Sequence, residues 1–143
     1  MPDFRRLSDK VLASPQIALD DIPAAAEQGV TTIINNRPDG EDPAAPQGDA
    51  IEAAAREAGL DYAAIPVGHS GFSQTQVAEM ADAIDKAQGQ VLAYCRSGTR
   101  STFLWALAQA KAGSAPDDIA RAAMAAGYDV TPIRAMLDML AAR

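Results

Sequence analysis

Val91-Leu92-Ala93-Tyr94-Cys95-Arg96-Ser97-Gly98-Thr99-Arg100-Ser101 is the stretch on which the reading of the chain turns. Four apolar residues with no charge read as a buried strand. A polar turn with one glycine follows, and a helical pattern begins at about Ser101. Strand, tight turn and helix in direct succession are the unit of an open, mainly parallel α/β sheet. In such sheets ligands sit at the carboxyl ends of the strands, which here is where Cys95 stands. The helix start supplies free N–H groups and a partial positive charge, and a tight turn gathers its amides around an anion. Gly98 lets that turn close.

The same pattern repeats outward from the stretch. Val30–Asn35 is dense in β-branched residues and reads as a second buried strand, Asp61–Pro66 as a third, and Val11–Ala13 as a short edge strand. Helices are expected over Asp20–Gln28, Asp49–Ala58, Gln74–Gln88, Ser101 to about Ala112, Ser114 to about Ala126, and from Thr131, where a threonine cap precedes Pro132. Asn36–Gly48 and Val67–Ser73 are loops by their glycines, prolines and serines. The expectation is α/β: a mainly parallel central sheet of 4–5 strands flanked by helices, with residues 1–143 forming a single domain.

Bulk properties narrow the function. The 143 residues are 48% hydrophobic and 22% charged, ordinary for a globular chain, with aromatics at only 5%. A net charge of −7 argues against nucleic-acid and anionic-membrane surfaces, which need basic patches. No segment approaches the ~20 apolar residues of a membrane span. Met1–Leu12 has no long apolar run of the secretory kind. The single cysteine rules out an intramolecular disulfide. A cytoplasmic, reducing setting is expected. With one histidine and one cysteine no metal site is expected, nor any cofactor.

Cys95 is therefore the candidate nucleophile. Helix N-termini and nearby cations favour the thiolate over the thiol. Arg100 carries a planar fork suited to an oxyanion. Arg96 adds a second positive charge, Gly98 and Thr99 supply amides, and Ser97 and Ser101 hydroxyls to donate to the sulfur or a leaving group. From the other loops, Asp39 is a candidate acid, Glu41 an alternative, Arg37 an anion ligand or a loop clamp, and His69 a possible pocket residue. Trp105 sits at helical spacing and reads as core. A lone cysteine in a protein is most often just a small buried hydrophobe; two arginines, two serines and a glycine around this one favour chemistry.

The loop Cys95-Arg96-Ser97-Gly98-Thr99-Arg100-Ser101 resembles the active loop of rhodanese sulfurtransferases. Over roughly residues 5–140 the chain is similar to the bacterial beta-lactamase-hydrolase-like family. Ile33-Ile34-Asn35-Asn36-Arg37-Pro38-Asp39-Gly40-Glu41 and Tyr62-Ala63-Ala64-Ile65-Pro66-Val67 carry that second likeness. It implies the fold of the cysteine-dependent protein phosphatases, and members labelled both phosphatase and sulfurtransferase. It also implies occurrence alone or fused to a metallo-hydrolase domain of the persulfide-dioxygenase type. Four residues separate Cys95 from Arg100, where tyrosine and dual-specificity phosphatases have five. The shorter loop resembles rhodanese and implies that Cys95 takes a sulfane sulfur from a small anionic donor such as thiosulfate. The alternatives are hydrolysis of a phosphorylated substrate through a phosphocysteine, and an oxyanion-binding module without turnover. The alanine- and methionine-rich helix from Thr131 to Ala142 could serve as a partner surface; no signal fixes the oligomeric state.

Overall fold

The structure, a computed structural model, describes residues 2–68 and 70–142. His69 lies outside the described residues. The elements in chain order are β1 (Arg5–Arg6), β2 (Val11–Ser14), α1 (Asp21–Glu27), β3 (Val30–Asn35), α2 (Gly48–Glu57), β4 (Asp61–Ala64), α3 (Gln74–Lys86), β5 (Gln90–Tyr94), α4 (Thr99–Lys111), α5 (Pro116–Ala125) and α6 (Arg134–Ala141). A single 3₁₀ turn, Thr131–Ile133, leads into α6. The five strands form one sheet in the order β1-β2-β5-β3-β4. Only β1 runs antiparallel.

The apolar runs of the central strands follow from burial on both faces, as parallel sheets require. Val11, Ala13, Ile34, Val91 and Ala93 face α3, α4, α5 and α6 through Met80, Leu104, Leu107, Ile119 and Leu137. Leu12, Ile33, Leu92 and Tyr94 face α1 and α2 through Ile22, Ala25, Ile51 and Ala55. Side chains alternate along each strand, so adjacent residues feed opposite cores. Trp105 is core, as its spacing implies, at 3% exposure.

Register fixes where the site lies. Ser14 pairs with Tyr94, Tyr94 with Asn35, and Asn35 with Ala64. Four parallel strands thus end on one line across the sheet. The segments that follow them, including the Cys95 loop, emerge side by side.

Several boundaries differ from the sequence expectation. Val11–Ser14 is an interior strand, because the two-residue Arg5–Arg6 pairs on its outer side; two arginines give no apolar alternation to read. The strand before Pro66 ends at Ala64. The helix after it stops at Lys86, since Ala87 turns extended. The last helix starts at Arg134, and Thr131 does not cap it: its hydroxyl and N–H both turn back to Asp129. Most consequential, α4 starts at Thr99, two residues early, which draws Arg100 and Ser101 into its first turn.

Candidate active site

The Cys95 loop is built from the sheet outward. The Cys95 N–H donates to Ser14 O at 3.3 Å and the Gln16 N–H donates to Arg96 O at 3.2 Å, so the chain after β2 braces the loop from one side. Gly98 adopts φ +91° and stands at the N-terminus of α4. Only glycine takes that conformation without strain. Its N–H points back and donates to the Cys95 sulfur at 3.1 Å. The sulfur is fully buried at the floor of the turn. The Thr102 hydroxyl donates to Gly98 O at 2.8 Å and locks the turn onto the helix.

Tyr128, from the segment after α5, holds the loop from beneath. Its hydroxyl donates to Ser97 O at 3.1 Å. The Arg5 guanidinium lies 5.1 Å from the centre of the same ring, a cation–π contact that links the edge strand to the loop. Nothing local in the sequence marks Tyr128; it is 33 residues beyond Cys95 and reaches the loop only through the packing of α4 and α5.

Asn36 closes the other side. It is completely buried at the end of β3. Its backbone N–H donates to Tyr94 O, its side-chain N–H to Ile65 O at 2.9 Å, and its Oδ1 accepts from the Ser101 hydroxyl at 2.8 Å. A buried amide with every group paired fixes three segments against one another. The available signal was an uncharged polar residue at the end of an apolar strand.

The hydroxyls expected at the sulfur are engaged elsewhere. Ser101 has given its hydrogen to Asn36. The Ser97 hydroxyl donates to Thr99 Oγ1 at 2.9 Å and accepts from the Thr99 N–H. Arg96 points outward and is exposed.

Arg100 is half-buried and held on two sides. Its Nη1 donates to Val67 O at 2.8 Å and to Glu41 Oε2 at 2.9 Å, and its Nη2 donates to Glu41 Oε1 at 2.7 Å. Glu41 also accepts from Arg37 Nε at 2.8 Å, and Arg37 Nη1 donates to the Gln16 side chain at 3.0 Å. Of the two loop carboxylates weighed, Glu41 therefore meets Arg100. Asp39 takes a different post: its Oδ1 accepts the Gly48 N–H at 2.9 Å and serves the start of α2, where Gln47 offers no side-chain cap. The residues split because the backbone turns at Gly40, φ +80°, between them. Arg37 acts as a clamp on Glu41.

Charge follows from these contacts. Hydrogen bonds from Arg100, reinforced by Arg37, hold the Glu41 carboxyl at about 2, against the opposing effect of burial. Arg100 is raised from its ordinary value, first by Glu41 and also by the nearby Cys95 sulfur. Glu41 is therefore ionised at neutral pH and has no proton to give. Because its pKa is lowered in the folded state, the stabilisation is complete above about 4.5, the ordinary value, and is lost as pH falls toward 2. The melting-temperature gap between the wild type and Glu41→Gln should be constant from pH 7 to 5 and shrink below pH 4.5.

Arg100→Lys should lower activity by about 100-fold, since an ammonium cannot hold Glu41 end-on, reach Val67 O and still offer a fork. Steady-state rates alongside a surface Lys86→Ala control check this; a loss under fivefold would contradict it.

A parallel sheet, a cysteine at the end of its central strand and an arginine in the first turn of the next helix define a domain of the cysteine-dependent phosphatase fold. The comparisons agree. The family described as beta-lactamase hydrolase-like protein, phosphatase-like domain, matches residues 3–112, and the chain belongs to it. A beta-lactamase hydrolase-like protein of Xylella fastidiosa is 36% identical over 125 residues, which is 87% of this chain but 29% of that protein. The chain thus spans under a third of the curated relatives it matches. A crystal structure of a candidate phosphatase from Neisseria meningitidis is 34% identical, with TM-score 0.85, covering 96% of this chain and 98% of that one. Tk-PTP in its active form shares the fold at 19% identity and TM-score 0.73, over 99% and 98% of the two chains. Among the described residues no helix is long and apolar enough to cross a membrane.

Proposed function

We propose that the chain is a cysteine-dependent sulfurtransferase. The observation that carries this reading is the state of Glu41: the one carboxylate on Arg100 is ionised and clasped by two guanidiniums. The leaving group must then depart without a proton from it, which suits sulfite or a thiolate better than an alkoxide. The Cys95 thiolate attacks the outer sulfur of thiosulfate. A Cys95–S bond forms, the S–S bond breaks, and sulfite leaves with that bond's electron pair. The terminal sulfur of the resulting persulfide lies among the loop amides and beside Arg100. Cyanide or a thiol acceptor then removes it and restores the thiolate. Arg96, exposed at the rim, steers the anionic donor. The fusion to a metallo-hydrolase expected from the family resemblance would place a consumer of such sulfur beside the site.

The expected result is thiocyanate from thiosulfate and cyanide, with intact mass showing one added sulfur on wild type and none on Cys95→Ser. No added sulfur with thiosulfate, a thiosulfonate or glutathione persulfide overturns the reading.

The family description and the Neisseria structure favour a second reading, phosphoester hydrolysis through a phosphocysteine. In it Asp39 is the carboxylate left to act as acid. Vanadate-sensitive hydrolysis of an aryl phosphate, lost in Asp39→Asn for poor leaving groups only, would select it.

A further inference from the structure

The hydrogen-bond geometry of Arg100 divides its guanidinium into two edges. A guanidinium has five N–H groups. Three are committed: both on Nη1, to Val67 O and Glu41 Oε2, and one on Nη2, to Glu41 Oε1. Glu41 thus takes the guanidinium end-on, across Nη1 and Nη2. The Nε–H and the second Nη2 hydrogen lie together on the adjoining edge. Cys95 at the end of β5 and Arg100 in the first turn of α4 flank the same turn, whose Gly98 N–H donates to the sulfur.

We infer that Gln16, Arg37 and Glu41 form a positioning relay that turns the Nε/Nη2 edge of Arg100 toward the Cys95 sulfur, where an oxyanion is received. In this relay Arg37 serves as a clamp. Its Nε donates to Glu41 and its Nη1 to Gln16, and its side chain is 9% exposed. The relay spans three segments: the chain after β2, the loop after β3 and the first turn of α4. All three leave the sheet along the line where its strands end. Glu41 sets the plane of the fork, Arg37 keeps Glu41 in place, and Gln16 keeps Arg37 in place. The opposite role for the same contact is a plug, in which Glu41 competes with the incoming anion. The end-on geometry argues against it, because among the described residues the adjoining edge stays open while Glu41 is bound.

The inference rests on Arg100 being the anion ligand of the proposed function, but not on whether sulfur or phosphate is transferred. Its test therefore reads binding of tungstate to the intact chain by calorimetry, with melting temperature as the control for folding. Glu41→Gln should weaken tungstate at least about tenfold, and Arg37→Gln about threefold to tenfold. The double variant should bind no more weakly than Glu41→Gln alone, because Arg37 acts through Glu41. Unchanged binding in Glu41→Gln overturns the relay, tighter binding overturns it and selects the plug, and additive losses overturn the indirect role of Arg37. The ¹⁵N-edited spectrum of Arg100 gives a second readout independent of binding. Its Nη signals should be resolved and shifted in wild type and collapse toward the averaged arginine position in Glu41→Gln. Signals unmoved by the substitution overturn the relay. Wild type failing to bind tungstate while those signals do collapse in Glu41→Gln would instead indict the assignment of Arg100 as the anion ligand.

Discussion

Cys95→Ser is expected to remove transfer by at least about 10⁴-fold while leaving tungstate affinity within a few fold. The two halves of that result come from different atoms. Transfer needs a polarisable anion at the end of β5, and a serine hydroxyl at neutral pH is neither ionised nor soft. Binding needs the loop amides and the Arg100 fork, and the substitution removes neither. The Gly98 N–H that donates to sulfur at 3.1 Å would find the Ser Oγ instead, so the turn keeps its closing bond. The fold should be preserved as well. Cys95 is fully buried, but the atom lost is replaced by a slightly smaller one in a polar turn rather than in the apolar layers. Rates with thiosulfate and an aryl phosphate, together with calorimetry, separate the outcomes. If binding disappears with turnover, the sulfur is a structural part of the receptor. If binding persists and turnover persists too, Cys95 is not the nucleophile and the loop only positions another group.

The part of this site that lies along one stretch of chain was legible in the sequence. Cys95, Gly98 and Arg100 fall within six residues, and strand–turn–helix order places them at the end of a parallel sheet whatever the rest of the chain does. The layers were legible for a similar reason: runs such as Val91–Tyr94 have no polar face, so both faces had to be covered. What escaped was contact across sequence. Asp39 and Glu41 carry the same chemistry two residues apart, and only the positive φ of Gly40 decides which one reaches Arg100. Tyr128 lies on a turn with nothing catalytic around it. The Ser101 hydroxyl looked available until the fold brought Asn36 to it from 65 positions away. The start of α4 was misplaced because a glycine at positive φ, rather than a serine or threonine, occupies its cap.

Gly98→Ala should be the most damaging substitution at a residue that does no chemistry. Two costs add. An alanine at φ +91° leaves the allowed region, at about 1–3 kcal/mol. The new Cβ would also stand 2.8 Å from the Tyr128 ring carbon Cζ and closer still to its hydroxyl, with Ser14 backbone 3.3 Å away on the other side. Overpacking against a ring and a backbone that cannot both retreat costs about 1–3 kcal/mol more. Relief requires the turn to open, and opening withdraws the N–H from the Cys95 sulfur and tilts the first turn of α4 that carries Arg100. Losing preorganised donors of that kind typically costs about 10²–10³ in rate. The expected result is a melting temperature lower by on the order of 10 °C and activity reduced by at least about 100-fold. Tyr128→Ala tests the cause. It removes the collision but not the backbone strain, so in that background Gly98→Ala should destabilise by only the conformational share. A cycle in which the two substitutions simply add would mean that Tyr128 does not press on the loop, and that glycine is required at 98 for its backbone alone.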